Sequence, residues 1–297
     1  MIRRKSLLAL SLVFLCFLIS ITILGGLVGF NWLVYIPRSQ PKPASQALFQ
    51  GITYAREVRQ SPRQMIIHVV RVDLRAPGIR LLVTPGDPNA EHALKARTTS
   101  KFLQDYHVQV AINGDGFTPW YSNNLLDYYP HSGDPVEPIG FAASQGVPYS
   151  ENTGEQPVLY LARNNQARFG TSEGKVYNAI SGNLMLVQDG RILPGLEGEP
   201  QPRTAIGLDK RGKYLIIVVV DGRQPGYSEG ATPEELAAIL VEHGVNIGMN
   251  LDGGGSTTLV IEKNGRPSIM NSPINNGIPG RERPVGNHLG IFAEPLK

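Results

Sequence analysis

Three apolar runs in this chain end in an acid or an amide next to glycine, the arrangement in which a sheet carries chemistry at its rim. Val218-Val219-Val220 runs into Asp221-Gly222-Arg223, Val245–Met249 into Asn250-Leu251-Asp252, and Val108–Asn113 into Gly114-Asp115-Gly116-Phe117. Loops mounted on a rigid scaffold commonly bear binding and catalytic groups, so the three exits read as three edges of one pocket. An Asx turn closing a hairpin accounts equally well for Asn113 or Asp221 taken alone. It accounts less well for Asp252, which leads into Gly253-Gly254-Gly255-Ser256-Thr257. A hairpin turn needs only two residues, and each glycine destabilises regular structure by roughly 0.5–1 kcal/mol relative to alanine. Successive glycines can wrap backbone N–H groups around an anion. The expectation is therefore that Gly253 and Gly254 bring backbone close to an anionic or sugar ligand beside the Asp252 carboxylate, with Ser256 and Thr257 adding hydroxyl donors.

Several other chemistries lack their signatures. The glycine-rich segment is not Gly-x-Ser-x-Gly, so a nucleophile elbow is unsupported, and no Gly-x-x-x-x-Gly-Lys-Ser/Thr phosphate loop occurs. The six histidines, at 68, 92, 107, 131, 243 and 288, are scattered without metal-ligand spacing. No metal site and no cofactor is expected from a specific signature, although a divalent cation beside Asp221 and Asp252 stays open. Cys16 is the only cysteine and lies in an apolar run, so the rest of the chain has no disulfide and no thiol nucleophile. The formal charge of +3 comes from Arg3, Arg4 and Lys5; beyond them basic and acidic residues balance. Nucleic-acid binding, which needs a basic patch on the domain, is not expected.

The elements that must position these residues are mostly strands. Glycine (33) and proline (23) are abundant in the 297 residues, which favours turns and β-structure over a helical bundle. Expected strands are Met65–Leu74 and Ile79–Thr84 about a Pro77-Gly78 turn, Leu184–Gln188 and Ile192-Leu193 about Asp189-Gly190, Ala205–Leu208 and Tyr214–Val220, and Thr257–Glu262 before Asn264-Gly265. Leu215–Val220 is unbroken apolar sequence, as in a strand covered on both faces. Thr99–Tyr106 and Pro233–His243 read as helices, the second with Thr232 as N-cap, Glu235 closing a capping box and Gly244 as the stop. That box accounts for Glu235 without a catalytic role. The loop from Thr118 to Pro138, with Trp120, three tyrosines and four prolines, could be a lid or a binding wall. The expected fold is α+β: a large, mostly antiparallel β-sheet with a few packed helices, preceded by one N-terminal transmembrane helix. Leu7–Phe30 contains 24 residues without a charge, long enough to cross a bilayer, and no small-x-small cleavage site follows. Residues 1–36 read as a signal anchor, with a cleaved signal peptide as the alternative; residues 37–47 read as a Pro- and Ser-rich linker and 48–297 as the domain. The domain is then expected outside the cytoplasm on a single-pass membrane protein.

Five segments in order carry a family resemblance: RTAIGLD (203–209), VVVDGRQPGYSEGATPEELAAIL (218–240), NLDGGGSTTLV (250–260), NSP (271–273) and RPVGNHLGIF (283–292). Together they resemble the phosphodiester glycosidase domain over roughly residues 178–294, with a weaker extension through AINGDGF (111–117). The first motif in this family often ends in two aromatics, whereas here Asp115-Gly116 precedes Phe117. The resemblance puts Asn113, Arg203, Asp221, Arg223, Asp252, Ser256, Thr257 and Asn271 at the pocket. It implies an enzyme, a hydrolase of sugar-1-phosphodiesters in a polysaccharide or envelope glycan; bacterial relatives are associated with exopolysaccharide. Two carboxylates flanking the bond are the usual glycosidase arrangement, and Asp221 and Asp252 are the candidates, with their acid and base roles unassigned. Arg203 and Arg223 could hold phosphate oxygens in bidentate forks, and Asn113 and Asn271 could bind sugar hydroxyls. A non-catalytic glycan-binding protein of envelope or exopolysaccharide assembly is the alternative, but a binder of neutral sugar needs neither the paired acids nor the arginines.

Overall fold

The structure is a computed structural model and describes residues 14–26, 38–151, 153–171 and 175–296. It divides into two units, Met1–Arg38 and Ser39–Lys297. In the first, residues 14–26 form an α-helix, about 20 Å long against a hydrocarbon core of about 30 Å. Among the described residues no helix is long and apolar enough to cross a membrane. The remainder of the expected span, residues 7–13 and 27–30, lies outside the described residues.

The second unit contains the large antiparallel sheet expected and, packed against it, a second antiparallel sheet that was not. The first has eight strands in the order Ala44–Phe49, Ile52–Arg59, Met65–Asp73, Tyr214–Val220, Arg203–Leu208, Ile247–Asn250, Leu184–Gln188 and Arg191–Ile192. The second has five, in the order Arg266–Ile269, Leu259–Lys263, Val110–Asn113, His288–Phe292 and Arg80–Val83. Alternation along Tyr214–Val220 explains why two layers form on this strand: Leu215, Ile217 and Val219 enter one core, Ile216, Val218 and Val220 another. The first core also takes Val110, Ile112, Leu259, Ile261, Leu289 and Ile291 from the second sheet, so the sheets bury their apolar faces against each other. The outer face of the large sheet is covered by helix Pro233–Glu242 through Leu236, Ala237, Ile239 and Leu240. The expected capping box is in place there: Glu235 N–H donates to Thr232 Oγ1 at 3.2 Å and Thr232 N–H to Glu235 Oε2 at 2.8 Å. Helix Thr99–Tyr106 backs the second sheet, packing Phe102 and Leu103 on Leu82, Ala111 and Val260.

Two expectations about connections are corrected. Met65–Asp73 and Arg80–Val83 do not form a hairpin; the Pro77-Gly78 turn carries the chain from the large sheet to the smaller one. Residues 44–47, read as linker, belong to the edge strand Ala44–Phe49, whose ladder with Ile52–Arg59 outweighs a composition that by itself suggests a spacer. A three-stranded sheet of Leu94–Lys95, Pro135–Pro138 and Phe117–Thr118 and a five-stranded one around Val158–Leu161 and Asn178–Ser181 flank the pair.

Candidate functional site

Register brings the expected exits to common sheet ends. Arg203 lies opposite Val220, one residue before Asp221, and Asn250 opposite Ala205 and Leu184. In the smaller sheet Asn113 lies opposite His288. Asn113 then joins the two sheets: its Nδ2 donates to Asp252 O at 2.7 Å, and its Oδ1 accepts from Thr204 Oγ1 at 2.8 Å and Thr258 N–H at 3.1 Å. Asp252 N–H donates to Gly114 O at 3.0 Å. The Asp252 loop is thus pinned from both sheets, at the edge of a cavity of about 570 Å³.

Five of the ten sequence-predicted site residues line that cavity: Arg203, Arg223, Asp252, Gly253 and Gly254. Asn113, Asp221, Ser256, Thr257 and Asn271 do not. Asn113 is fully buried and spends its amide on the contacts above. Asp221, expected to face the cleft opposite Asp252, is also fully buried. Its Oδ1 accepts from Ser272 N–H at 2.7 Å and Asn271 Nδ2 at 3.1 Å, and its Oδ2 lies 3.2 Å from His68 Nε2, which is linked through Nδ1 to Tyr54 Oη at 2.8 Å. Asn271 also donates to Thr257 O and accepts from Leu259 N–H, so it holds the loop rather than the cavity. The physical reason is shared: residues 271–272 fold back over the strand end and supply donors to the buried carboxylate.

The glycine triplet has a different reason from the one expected. Gly253 N–H donates to Asp252 Oδ1 at 2.8 Å and Gly254 N–H to Pro202 O at 2.9 Å, so these two groups form no open anion nest. The glycines instead make room for guanidinium groups. A Cβ on Gly254, whose φ is +60°, would stand 3.0 Å from Arg223 Nη1, and one on Gly255 would stand 2.7 Å from Arg283 Cζ.

Arg283 is the principal residue missed in the sequence, although it opens the last family segment. Its Nε donates to Asn275 Oδ1 at 3.1 Å, its Nη1 to Ser256 Oγ at 3.3 Å, and its Cζ lies 4.8 Å from the Trp120 ring centroid. Arg203 donates to Ala231 O and Glu199 O, and Arg223 to Gln201 Oε1. All these acceptors are neutral, and among the described residues no carboxylate makes an ion pair with any of the three guanidinium groups. Burial lowers the pKa of both Arg203 and Arg283, and the Arg223 charge lowers each further. Arginine nevertheless stays charged in proteins, so three cations share one cavity with the single carboxylate of Asp252.

Burial raises the Asp252 pKa, against the opposing Ser256 hydroxyl, the Arg283 charge, the Gly253 N–H and the Arg223 charge. Behind it Asp115, also unassigned in the sequence, is pushed up to about 6 by burial, with the Asp252 charge adding to the shift. Asp115 Oδ1 and Oδ2 accept from Gly116 and Gly140 N–H, each at 2.7 Å. Ser122, Asn183, Gln201, Asn250 and Asn276 add to the polar lining; Phe117, Trp120, Ile139 and Ile274 form its apolar part. Trp120 confirms that the Thr118–Pro138 loop walls the cavity. Among the described residues no group of three or more His, Cys, Asp or Glu side chains is placed to hold a metal ion.

An α+β domain whose paired sheets end in a cavity with three arginines and one carboxylate has the equipment of an enzyme acting on an anionic ester. The chain belongs to the phosphodiester glycosidase family, whose model matches residues 81–292. Its fold is similar to that of a hypothetical protein from Synechocystis, with a TM-score of 0.64, 17% identity, and coverage of 86% of this chain and 64% of that one. The chain therefore spans somewhat less than two thirds of that protein's length. The catalytic domain of zebrafish N-acetylglucosamine-1-phosphodiester alpha-N-acetylglucosaminidase, auto-inhibited by its pro-peptide, is similar at TM-score 0.57 and 23% identity, over 86% and 92% of the two chains. A protein of Burkholderia pseudomallei described as a putative exported protein is similar at TM-score 0.55 and 15% identity, over 79% and 75% of the two chains. No curated protein matches the sequence.

Proposed function

We propose that the Ser39–Lys297 unit hydrolyses a glycosyl phosphodiester of a polysaccharide or envelope glycan, releasing free sugar and a phosphate monoester. The observation that carries this reading is the composition of the cavity: three guanidinium groups that have no ion-pair partner among the described residues, around the Asp252 carboxylate. Ordinary glycosidases use a second carboxyl group to protonate a poor alkoxide leaving group. A phosphate monoester, with its second pKa near 6, leaves without that help when cations receive its charge. One facing carboxylate is then sufficient, and Asp221 is a positioning residue that orders Asn271 and the loop behind Asp252.

In this scheme water attacks the anomeric carbon while Asp252 takes its proton. The bond from that carbon to the bridging oxygen breaks, and its electron pair goes to the phosphate, where Arg203, Arg223 and Arg283 receive the added charge. Pre-placed donors of this kind stabilise charge as it develops without reorganising. The polar amides of Asn183, Asn250 and Asn276 would meet sugar hydroxyls. No step is assigned to a cofactor. The uncharged stretch Leu7–Phe30 supports a membrane anchor with the domain outside the cytoplasm.

The test is release of free sugar from a panel of sugar-1-phosphodiesters. Asp252→Asn should lower turnover by about 10²–10⁴ with the melting temperature near wild type, and Arg203→Ala should harm phosphodiesters far more than phosphate-free glycosides. Wild-type turnover by Asp252→Asn would remove the proposed base.

A further inference from the structure

Part of the cavity's apolar lining is left uncovered. Phe117 and Ile274 are buried in it, but Ile139 is 57% and Trp120 49% exposed although both line it. The same segment also exposes Tyr121 (44%), Leu125 (38%) and Leu126 (93%). Exposed apolar residues scattered singly are ordinary, whereas several gathered beside a site mark a contact surface. This surface is held in place: Ser122 Oγ donates to Asn276 Oδ1 at 2.6 Å, Arg281 Nη2 to Tyr128 Oη at 2.8 Å, and Arg283 covers one face of Trp120. Gly116 makes room for its far end, since a Cβ there would stand 2.9 Å from Ile139 Cδ1.

Contact with Arg283 sets what can lie on it. Trp120 packs directly on Arg283, so the wall begins where a phosphate held by the guanidinium groups would end. A phosphodiester has two substituents. With the glycosyl unit among the amides, the other substituent crosses Trp120 and Ile139. Resting on the hydrolase reading above, we propose that this second substituent is a long aliphatic chain, so that the substrate is a lipid-linked glycosyl phosphate. The membrane-compatible stretch Leu7–Phe30 would keep the enzyme where such a substrate resides. Hydrolysis then gives the free sugar and an alkyl phosphate, with water supplying the hydroxyl and the proton.

The test uses the full chain in nanodiscs of neutral lipid and one sugar joined through phosphate to methanol, glycerol, butanol or octanol. Each methylene buried on the wall should raise kcat/KM about fourfold, acting through KM, and Ile139→Asn should lower the octyl rate at least about tenfold more than the methyl rate. Equal rates across the alkyl series, preference for glycerol, or equal losses in Ile139→Asn would overturn the proposal. Methyl and octyl phosphate, which contain no glycosidic bond, keep the two readings separable when their binding is measured by calorimetry. Tighter binding of octyl phosphate without turnover of any diester would sink the hydrolase scheme and leave the apolar subsite standing. Equal binding of the two would refute the subsite.

Discussion

Gly255→Ala adds one methyl group and isolates the role of Arg283. The new Cβ would stand 2.7 Å from Cζ and 3.1 Å from Nε of Arg283, against an ordinary carbon contact of about 3.5–4.0 Å. The guanidinium must therefore retreat by roughly 1 Å. It cannot do so without loosening its bonds to Asn275 and Ser256 at 3.1 and 3.3 Å or its contact with Trp120. Backbone strain is not at issue, because Gly255 has no positive φ. A hydrogen bond to a charged group contributes about 1.5–3 kcal/mol, so misplacing one guanidinium should lower kcat/KM for a sugar-1-phosphodiester by about 10- to 150-fold. The assay compares that substrate with a phosphate-free glycoside of the same sugar, together with the melting temperature. A loss confined to the phosphodiester, with the fold intact, fits a phosphate-binding Arg283. Wild-type kinetics in Gly255→Ala would refute the argument, because the side chain would then tolerate displacement without consequence.

Gly254→Ala combines a milder clash with Arg223 and a φ of +60°, so it should lose about 1–2 kcal/mol of stability from the left-handed backbone alone, measurable by urea denaturation. Asp221→Ala should act on folding first: it leaves His68, Asn271 and the Ser272 N–H without their buried acceptor, at about 1–3 kcal/mol for each unsatisfied group. A melting temperature equal to wild type would return Asp221 to the catalytic candidates. Asp115 supplies a pH test. Its pKa is raised to about 6 in the fold, so the native state binds the proton more tightly than the unfolded chain, whose value is near 3.9. Stability should therefore fall as pH rises from about 4 to about 6, and Asp115→Asn should flatten that part of the profile of melting temperature against pH.

Local signals were legible, and they were legible because their causes are local. Helix Pro233–Glu242 follows from Thr232, Pro233, Glu235 and Gly244, all within its own sequence. The burial of Tyr214–Val220 on both faces follows from an unbroken apolar run. The layering was not readable, because strands that both alternate or both stay apolar carry no mark of which sheet they join. Pro77-Gly78 makes the same tight turn whether the chain pairs with itself or changes sheet.

The candidate site shows the same division at the level of single side chains. Asp221 and Asp252 look alike in sequence, since each follows a buried strand and precedes glycine. What separates them is a distant segment. Asn271 and Ser272 close over Asp221 and occupy its Oδ1, with His68 at Oδ2, while Asp252 feels the charges of Arg283 and Arg223 and faces the cavity. Asp115 and Arg283 were missed for the converse reason: nothing in AINGDGF or RPVGNHLGIF reports that the two segments meet, although the Asp115 N–H donates to Asn287 Oδ1 at 2.8 Å. The glycine triplet was the one sequence signal of that convergence. Three consecutive positions without side chains are hard to keep in a packed loop unless something large lies against them. Here it is the pair of guanidinium groups, and through them the loop that carries the carboxylate would also fix where the phosphate of the proposed substrate sits.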